Sequence, residues 1–197
     1  MKLIFISGPS GSGKTTLSKN ILVEQKNGYI LSTDNYYRTG LVSEILSKII
    51  DGYFDRGISL NYKLLKNDFL FIIRNGISNN MRLYDFKKKE IKKYSIKTEN
   101  IKFLIVEGIF ARDLECCFPN NDCFLIELRI NKNYCMNRVI KRDIEERGKL
   151  RAIAKKDFLK SWEIYFDRLK DKKSHKIANK FVFKKNTDLK KILKKIF

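Results

Sequence analysis

The chain has 197 residues, 43% of them hydrophobic, which is enough for one globular core, and no apolar run approaches the ~20 residues of a membrane-spanning helix. Lysine and arginine outnumber aspartate and glutamate 42 to 22, and the net charge of +20 admits a polyanionic partner. The lysines are accompanied by abundant Asn, Ile, Phe and Tyr, however, so a chain-wide residue bias accounts for the charge and nucleic-acid binding is not favoured. Cys116, Cys117, Cys123 and Cys135 form no C-x-x-C pair and the single histidine, His175, lies far from them. That spacing excludes a zinc site and leaves free thiols, consistent with a reducing, cytoplasmic setting.

Residues 2–7 form an apolar run that passes straight into glycine-rich sequence without a small-residue cleavage site, so they read as a strand and not as a signal peptide. Gly8-Pro9-Ser10-Gly11-Ser12-Gly13-Lys14-Thr15 then fits G-x-x-x-x-G-K-[ST] at every position, between that strand and a helix opening near Gly13. The glycines let the backbone N–H groups of Gly8, Ser10, Gly11, Ser12 and Gly13 turn toward phosphates, and the positive helix end adds to the attraction. Lys14 is placed to reach the β- and γ-phosphates, Thr15 offers Mg²⁺ a hydroxyl oxygen, and Thr16 completes the nucleotide-binding set.

A second strand is expected at 28–32, and Asp34 follows it. In a parallel sheet the carboxyl end of that strand opens onto the crevice that holds the phosphate loop, where a carboxylate can accept the proton of an attacking hydroxyl. Residues 62–73 have helical spacing, 81–86 are strand-like, and 87–97 form a basic stretch that reads as an exposed hairpin, part of an insertion at about 84–100. Strands are expected at 101–107, 123–130 and 180–183, and helices at 133–147, 158–169 and 188–197, the last with Leu189, Ile192, Leu193 and Ile196 on one face. This alternation predicts a single α/β domain with a largely parallel sheet flanked by helices. Asn131-Lys132-Asn133 begins a guanine-reading N-K-x-D, but Tyr134 stands where the aspartate is needed, which argues against a GTPase.

Taken in order, the phosphate loop, Asp34-Asn35-Tyr36-Tyr37, Phe54-Asp55, Tyr84-Asp85-Phe86, Val106-Glu107-Gly108-Ile109 and Arg142-Asp143-Ile144-Glu145-Glu146-Arg147-Gly148 resemble the uridine kinase and phosphoribulokinase family over roughly residues 1–150. The resemblance implies a three-layer P-loop NTPase fold with a helical lid at about 142–155. It also implies ATP- and Mg²⁺-dependent phosphoryl transfer to a small-molecule hydroxyl, with the 5′-hydroxyl of a nucleoside such as uridine as the leading acceptor. Under it, Asp34 is the catalytic base, Asp55 holds ribose hydroxyls, Tyr84 lines the base pocket, Glu107 joins Thr15 in binding Mg²⁺, and Arg142 and Arg147 meet the ATP phosphates from the lid.

The departures lie on the substrate side. Arg56-Gly57-Ile58 follows Asp55 where uridine kinases have H-P-D, and Lys89 stands in place of a histidine beyond Tyr84. Val139 takes the slot of a substrate arginine, and Lys149 that of a further lid arginine, losing the bidentate fork. Three alternatives therefore stand beside a nucleoside kinase: a sugar-phosphate kinase, a polynucleotide-end kinase and a nucleotide-dependent nucleic-acid-binding module.

Overall fold

The computed structural model describes residues 1–75, 78–85, 90–96, 101–115, 122–171 and 179–197. In chain order its elements are β1 (Lys2–Ser7), α1 (Lys14–Gln25), β2 (Gly28–Ser32), α2 (Leu41–Ile49), α3 (Tyr62–Asn75), β3 (Ser78–Asp85), β4 (Glu90–Ile96), β5 (Phe103–Glu107), α4 (Arg112–Glu115), β6 (Cys123–Leu128), α5 (Lys132–Arg147), α6 (Arg151–Asp171), β7 (Lys180–Phe183) and α7 (Leu189–Ile196). Five strands form a parallel sheet in the order β2-β5-β1-β6-β7, while β3 and β4 pair apart from it as an antiparallel hairpin.

Side chains alternate across a strand, and both faces of this sheet are covered, which is why its central strands are apolar almost throughout. Leu3, Phe5, Leu104, Val106 and Leu125 face a core closed by Leu65, Phe69 and Ile72 of α3. Ile4, Ile6, Ile105 and Ile126 face the other way, against Leu17 and Ile21 of α1 and Ile192, Leu193 and Ile196 of α7. The expected three-layer architecture is present, with the amphipathic C-terminal helix docked as its spacing predicts.

Boundaries shift where caps and packing decide them. Asn131 caps α5 through a hydrogen bond from the Asn133 amide at 2.9 Å, and Asp188 caps α7 in the same manner at 3.0 Å. The strand expected at 123–130 stops at Leu128 because Asn131 already begins the next helix. The helix expected at 158–169 belongs to the 21-residue α6, whose first two turns place Ala152, Ile153 and Lys155 at the surface. The basic stretch 87–97 supplies β4, although residues 86–89 lie outside the described residues. Helix α2, not anticipated from the sequence, buries only Ser43.

The end of β5 is tied tightly to the turn after β2. Gly108 has φ +145, and a Cβ there would fall 1.8 Å from Thr33 Oγ1, so only glycine fits beside this buried threonine. Gly108→Ala is expected to cost roughly 2 kcal/mol or more in urea unfolding, with Thr33→Ala recovering part of the loss in the double variant. A cost within about 0.5 kcal/mol, the range of an ordinary surface change, would show that the turn relaxes freely.

Candidate active site

The chain leaves the central strand β1 at Ser7 and curls through residues 8–13 into α1. Gly11 and Gly13 hold φ of +76 and +94, and a Cβ on Gly11 would stand 2.5 Å from the Cys135 carbonyl oxygen of α5 and 2.8 Å from Val139 Cγ2. The loop is thus pressed onto α5, with no room for a side chain on that side. No side chain caps the start of α1, which leaves its first N–H groups for an anion. Ser12 Oγ is buried without a hydrogen-bond partner, a second donor that phosphate oxygens would satisfy.

Lys14 Nζ donates to the Pro9 carbonyl oxygen at 3.1 Å. Burial pulls its ammonium below the usual lysine range, while Glu107 and then Asp34 oppose that shift. Thr15 Oγ1 donates to Glu107 Oε1 at 3.4 Å, placing a hydroxyl and a buried carboxylate side by side. Such oxygen donors suit a hard divalent cation, and Mg²⁺ normally takes only one or two protein carboxylates besides phosphate and water. Thr16 faces the same cavity from the exposed start of α1.

Two clefts of about 400 Å³ each open above the sheet. One contains the phosphate loop, Lys14, Thr15, Thr16 and Glu107. The other lies between the segment 47–55 and the α5–α6 region. Ser10, Asp34, Tyr37, Asp55, Val139 and Arg142 line both, so the two clefts share a wall. Asp34 sits in the short turn Thr33–Tyr36, where Tyr37 Oη donates to its Oδ1 at 3.5 Å. Burial pushes its carboxyl above the ordinary aspartate value, against the pull of Lys14, Arg142 and Arg147. Asp55 ends the turn Tyr53–Asp55 and accepts a 2.6 Å hydrogen bond from Ser161 Oγ.

Arg142, Arg147 and Lys149 gather on one carboxylate. Asp143, 3% exposed, lies 3.0 Å from Arg142 Nη2, 3.3 Å from Arg147 Nη1 and 3.4 Å from Lys149 Nζ. Lys149 also reaches Asp157 at 2.7 Å. Gly148, at φ +65, closes α5, and the chain turns directly into α6. The expected lid region thus consists of two helix ends and the turn that joins them. Val139, in the slot of an arginine, packs with Cys135 and Phe158 and braces the phosphate loop.

The structure therefore brings Ser10, Gly11, Gly13–Thr16, Asp34, Asp55, Glu107, Arg142 and Arg147 around the two joined clefts, with Gly8 and the buried Ser12 in the same loop behind them. Tyr84 lines neither of these clefts directly. It is 6% exposed, meets Tyr37 edge-on at 5.7 Å, and lines a small cavity with Arg38 and Ser43 that shares Ser47 and Phe54 with the cleft of segment 47–55. Lys89 lies outside the described residues. Sequence reasoning missed Ser161, Asp157 and the cation-gathering role of Asp143. It also missed Arg168, whose guanidinium stacks 4.5 Å from the Phe110 ring and donates to the Ile109 carbonyl. The four-residue spacing of Asp157, Ser161 and Tyr165 was the only signal for the α6 contacts, and it matches any helix face.

A parallel sheet with a phosphate loop between its central strand and the first helix, faced by a helical lid, defines the P-loop kinase fold. The D-glycerate 3-kinase of Cryptococcus neoformans var. grubii shares this fold, with a TM-score of 0.66 over 93% of this chain and 86% of that one at 14% identity. The model of the phosphoribulokinase/uridine kinase family matches residues 3–175, and the chain belongs to that family. It is 36% identical over 113 residues to a uridine kinase of Borrelia duttonii, an alignment covering 55% of this chain and 52% of that protein. A uridine kinase of Macrococcus caseolyticus is 30% identical over 154 residues, covering 75% and 71%. The chain spans about half the length of the Borrelia relative.

The raised Asp34 carboxyl has a consequence for stability. A carboxylate whose folded-state value lies above its unfolded one favours the fold when protonated, so stability is lost as pH rises from the unfolded value through the folded one. Asp34→Asn is therefore expected to melt at a higher temperature than the parent at pH 7, the gain shrinking as pH falls toward the ordinary aspartate value near 3.8. Thermal melts at both pH values test this, and a lower melting temperature for Asp34→Asn at pH 7 would contradict it.

Proposed function

We propose that this chain is an ATP- and Mg²⁺-dependent kinase that transfers the γ-phosphoryl group to a hydroxyl of a small molecule, with the 5′-hydroxyl of a nucleoside as the leading acceptor. The observation that carries the reading is the shared wall: Asp34 faces the phosphate-loop cleft and the neighbouring cleft at once. A carboxylate there can take the proton of an acceptor hydroxyl on one side while the phosphoryl group is held on the other. The uridine kinase relatives support a nucleoside as acceptor.

In this reading the loop amides, Ser12 and Lys14 hold the phosphates. Thr15 and Glu107 would hold Mg²⁺, which would supply positive charge to offset that of the phosphates. Arg142 and Arg147 exchange Asp143 for the oxygens of the transferring group, whose charge is spread widest at the transition state. Asp55 accepts hydrogen bonds from the acceptor's other hydroxyls, and Asp34 is the base. Its raised carboxyl places the acid limb of kcat/KM above the ordinary aspartate value, since activity requires the ionised form.

One observation favours a second acceptor class, a sugar phosphate. Lys48, Arg142 and Arg147 line the acceptor cleft and offer cations to an anionic polyol, while Lys149 and Lys160 are already held by Asp143, Asp157 and Asp51.

The deciding measurement is ADP release under Mg²⁺-ATP with uridine, cytidine, adenosine, ribose and ribose 5-phosphate. Turnover of nucleosides is expected, with uridine preferred over adenosine by less than about a thousandfold, because position 89 carries a lysine where uridine kinases have a histidine. Turnover of ribose 5-phosphate alone would assign the sugar-phosphate class, and ADP release with none of the five would refute the acceptor classes proposed here. Lys14→Ala should lower kcat/KM by about 10²-fold or more without unfolding the chain. Arg142→Ala and Arg147→Ala should lower kcat more than they weaken nucleotide binding, and unchanged kcat in both would remove these arginines from the reaction.

A further inference from the structure

Helix α6 meets the segment that carries Asp55 at three points on one face. Lys160 Nζ stands 3.7 Å from Asp51 Oδ2, Ser161 Oγ donates to Asp55 Oδ1 at 2.6 Å, and Ile164 packs so closely on Gly52 that an added Cβ would fall 2.3 Å from its Cδ1. One turn before Ser161, Asp157 holds Lys149 of the lid turn at 2.7 Å. A single helical face therefore carries both an acceptor-side carboxylate and a lid cation.

The Ser161 contact differs in kind from its neighbours. The Lys160–Asp51 pair is exposed and weak, with Asp51 74% accessible, whereas the Ser161 hydrogen bond is short, partly buried and made to a charged acceptor. It is also the one that reaches a residue on the wall common to both clefts. Burial works against the ionised form of Asp55, as do the charges of Asp34 and Asp157, while the Ser161 hydroxyl and Arg168 favour it. With Oδ1 held by Ser161, the carboxylate keeps acceptor capacity for hydroxyl groups in the cleft.

We propose that Ser161 is a positioning residue for the phosphoryl acceptor: its hydroxyl fixes the Asp55 carboxylate in the orientation from which that group receives hydrogen bonds from the acceptor's hydroxyls. This rests on the kinase reading above and on Asp55 facing the acceptor. Ser161 acts through Asp55, and its hydroxyl donates to that carboxylate and not to the phosphate loop, so its effect falls first on the acceptor side.

The test compares the parent with Ser161→Ala, Ser161→Thr and Asp55→Asn, using uridine and ribose 5-phosphate as acceptors, ADP release as the readout and a fluorescent ATP analogue for nucleotide affinity. Ser161→Ala is expected to raise the KM of the acceptor by about tenfold, the scale of one hydrogen bond to a charged group, with nucleotide affinity changed by less than about twofold. Ser161→Thr, which keeps the hydroxyl, is expected to bring the acceptor KM back to within about threefold of the parent. A Ser161→Ala enzyme with parental acceptor KM, beside an impaired Asp55→Asn, would overturn the inference and leave the kinase reading in place. A loss shared equally between acceptor and nucleotide, unrelieved by threonine and tracking a lower melting temperature, would reduce Ser161 to a packing residue. No turnover of either acceptor by the parent would count against the kinase reading and this inference together.

Discussion

Lys14 carries its ammonium into a cleft where burial opposes the charge, and Glu107 and Asp34 are the groups that offset that cost. The two carboxylates are themselves pushed up by burial and pulled back by Lys14. Lys14 thus offsets part of the cost of both carboxylates, whereas Asp34 adds to the cost of ionising Glu107. The sheet brings them together by register alone. β5 lies between β1 and β2, with Glu107 aligned with Ile6 on one side and Ser32 on the other. Two residues beyond Ile6 the phosphate loop begins, and two beyond Ser32 stands Asp34. Parallel pairing of three strands thus delivers the phosphate loop, Glu107 and Asp34 to one edge.

That edge was legible in the sequence because each part is local. A strand running into G-x-x-x-x-G-K-[ST], a strand ending in Asp34 and a strand ending in Glu107 can each be read within about ten residues, and the parallel fold then implies their meeting. Contacts between distant segments were not legible. Ser161 is one polar residue in a long helix, and only the docking of α6 on the segment 51–55 gives it Asp55 as a partner. Asp143 was visible beside Arg142, yet that it would collect Lys149 as well depends on the Gly148 turn. Helix α2 has its apolar residues at helical spacing, but Leu41, Val42, Ile45 and Ile49 are exposed, so no core position marked it. Tyr84 shows the same limit, since its place in β3 gave no hint that it would meet the Tyr37 ring edge-on.

The departures from the family pattern at Val139 and Lys149 are met by packing and by carboxylates. Val139 gives up a guanidinium and in exchange presses its Cγ2 against the Gly11 turn, joining the small core of Cys135 and Phe158. Lys149 keeps a charge but divides it between Asp143 and Asp157. The cations nearest the shared wall are therefore held by carboxylates of α5 and α6, so their positions follow those of the two helices.

Helix α6 extends this dependence along its whole length. Its 21 residues span ~30 Å, and its contacts run from the Lys149 partner Asp157, through Ser161 on Asp55, to Tyr165 on Ser7 and Arg168 on the Ile109 carbonyl. The last two contacts fasten it to the loops at the ends of β1 and β5, and near its other end Phe158 packs on Cys135 and Val139 of α5. A rigid tilt of about 10° about Arg168 would carry Ser161 through ~2 Å and Asp157 through ~3 Å. Displacements at the Lys149 partner Asp157 and at the Asp55 partner Ser161 are then tied in a ratio of roughly three to two, set by where along the helix each residue sits.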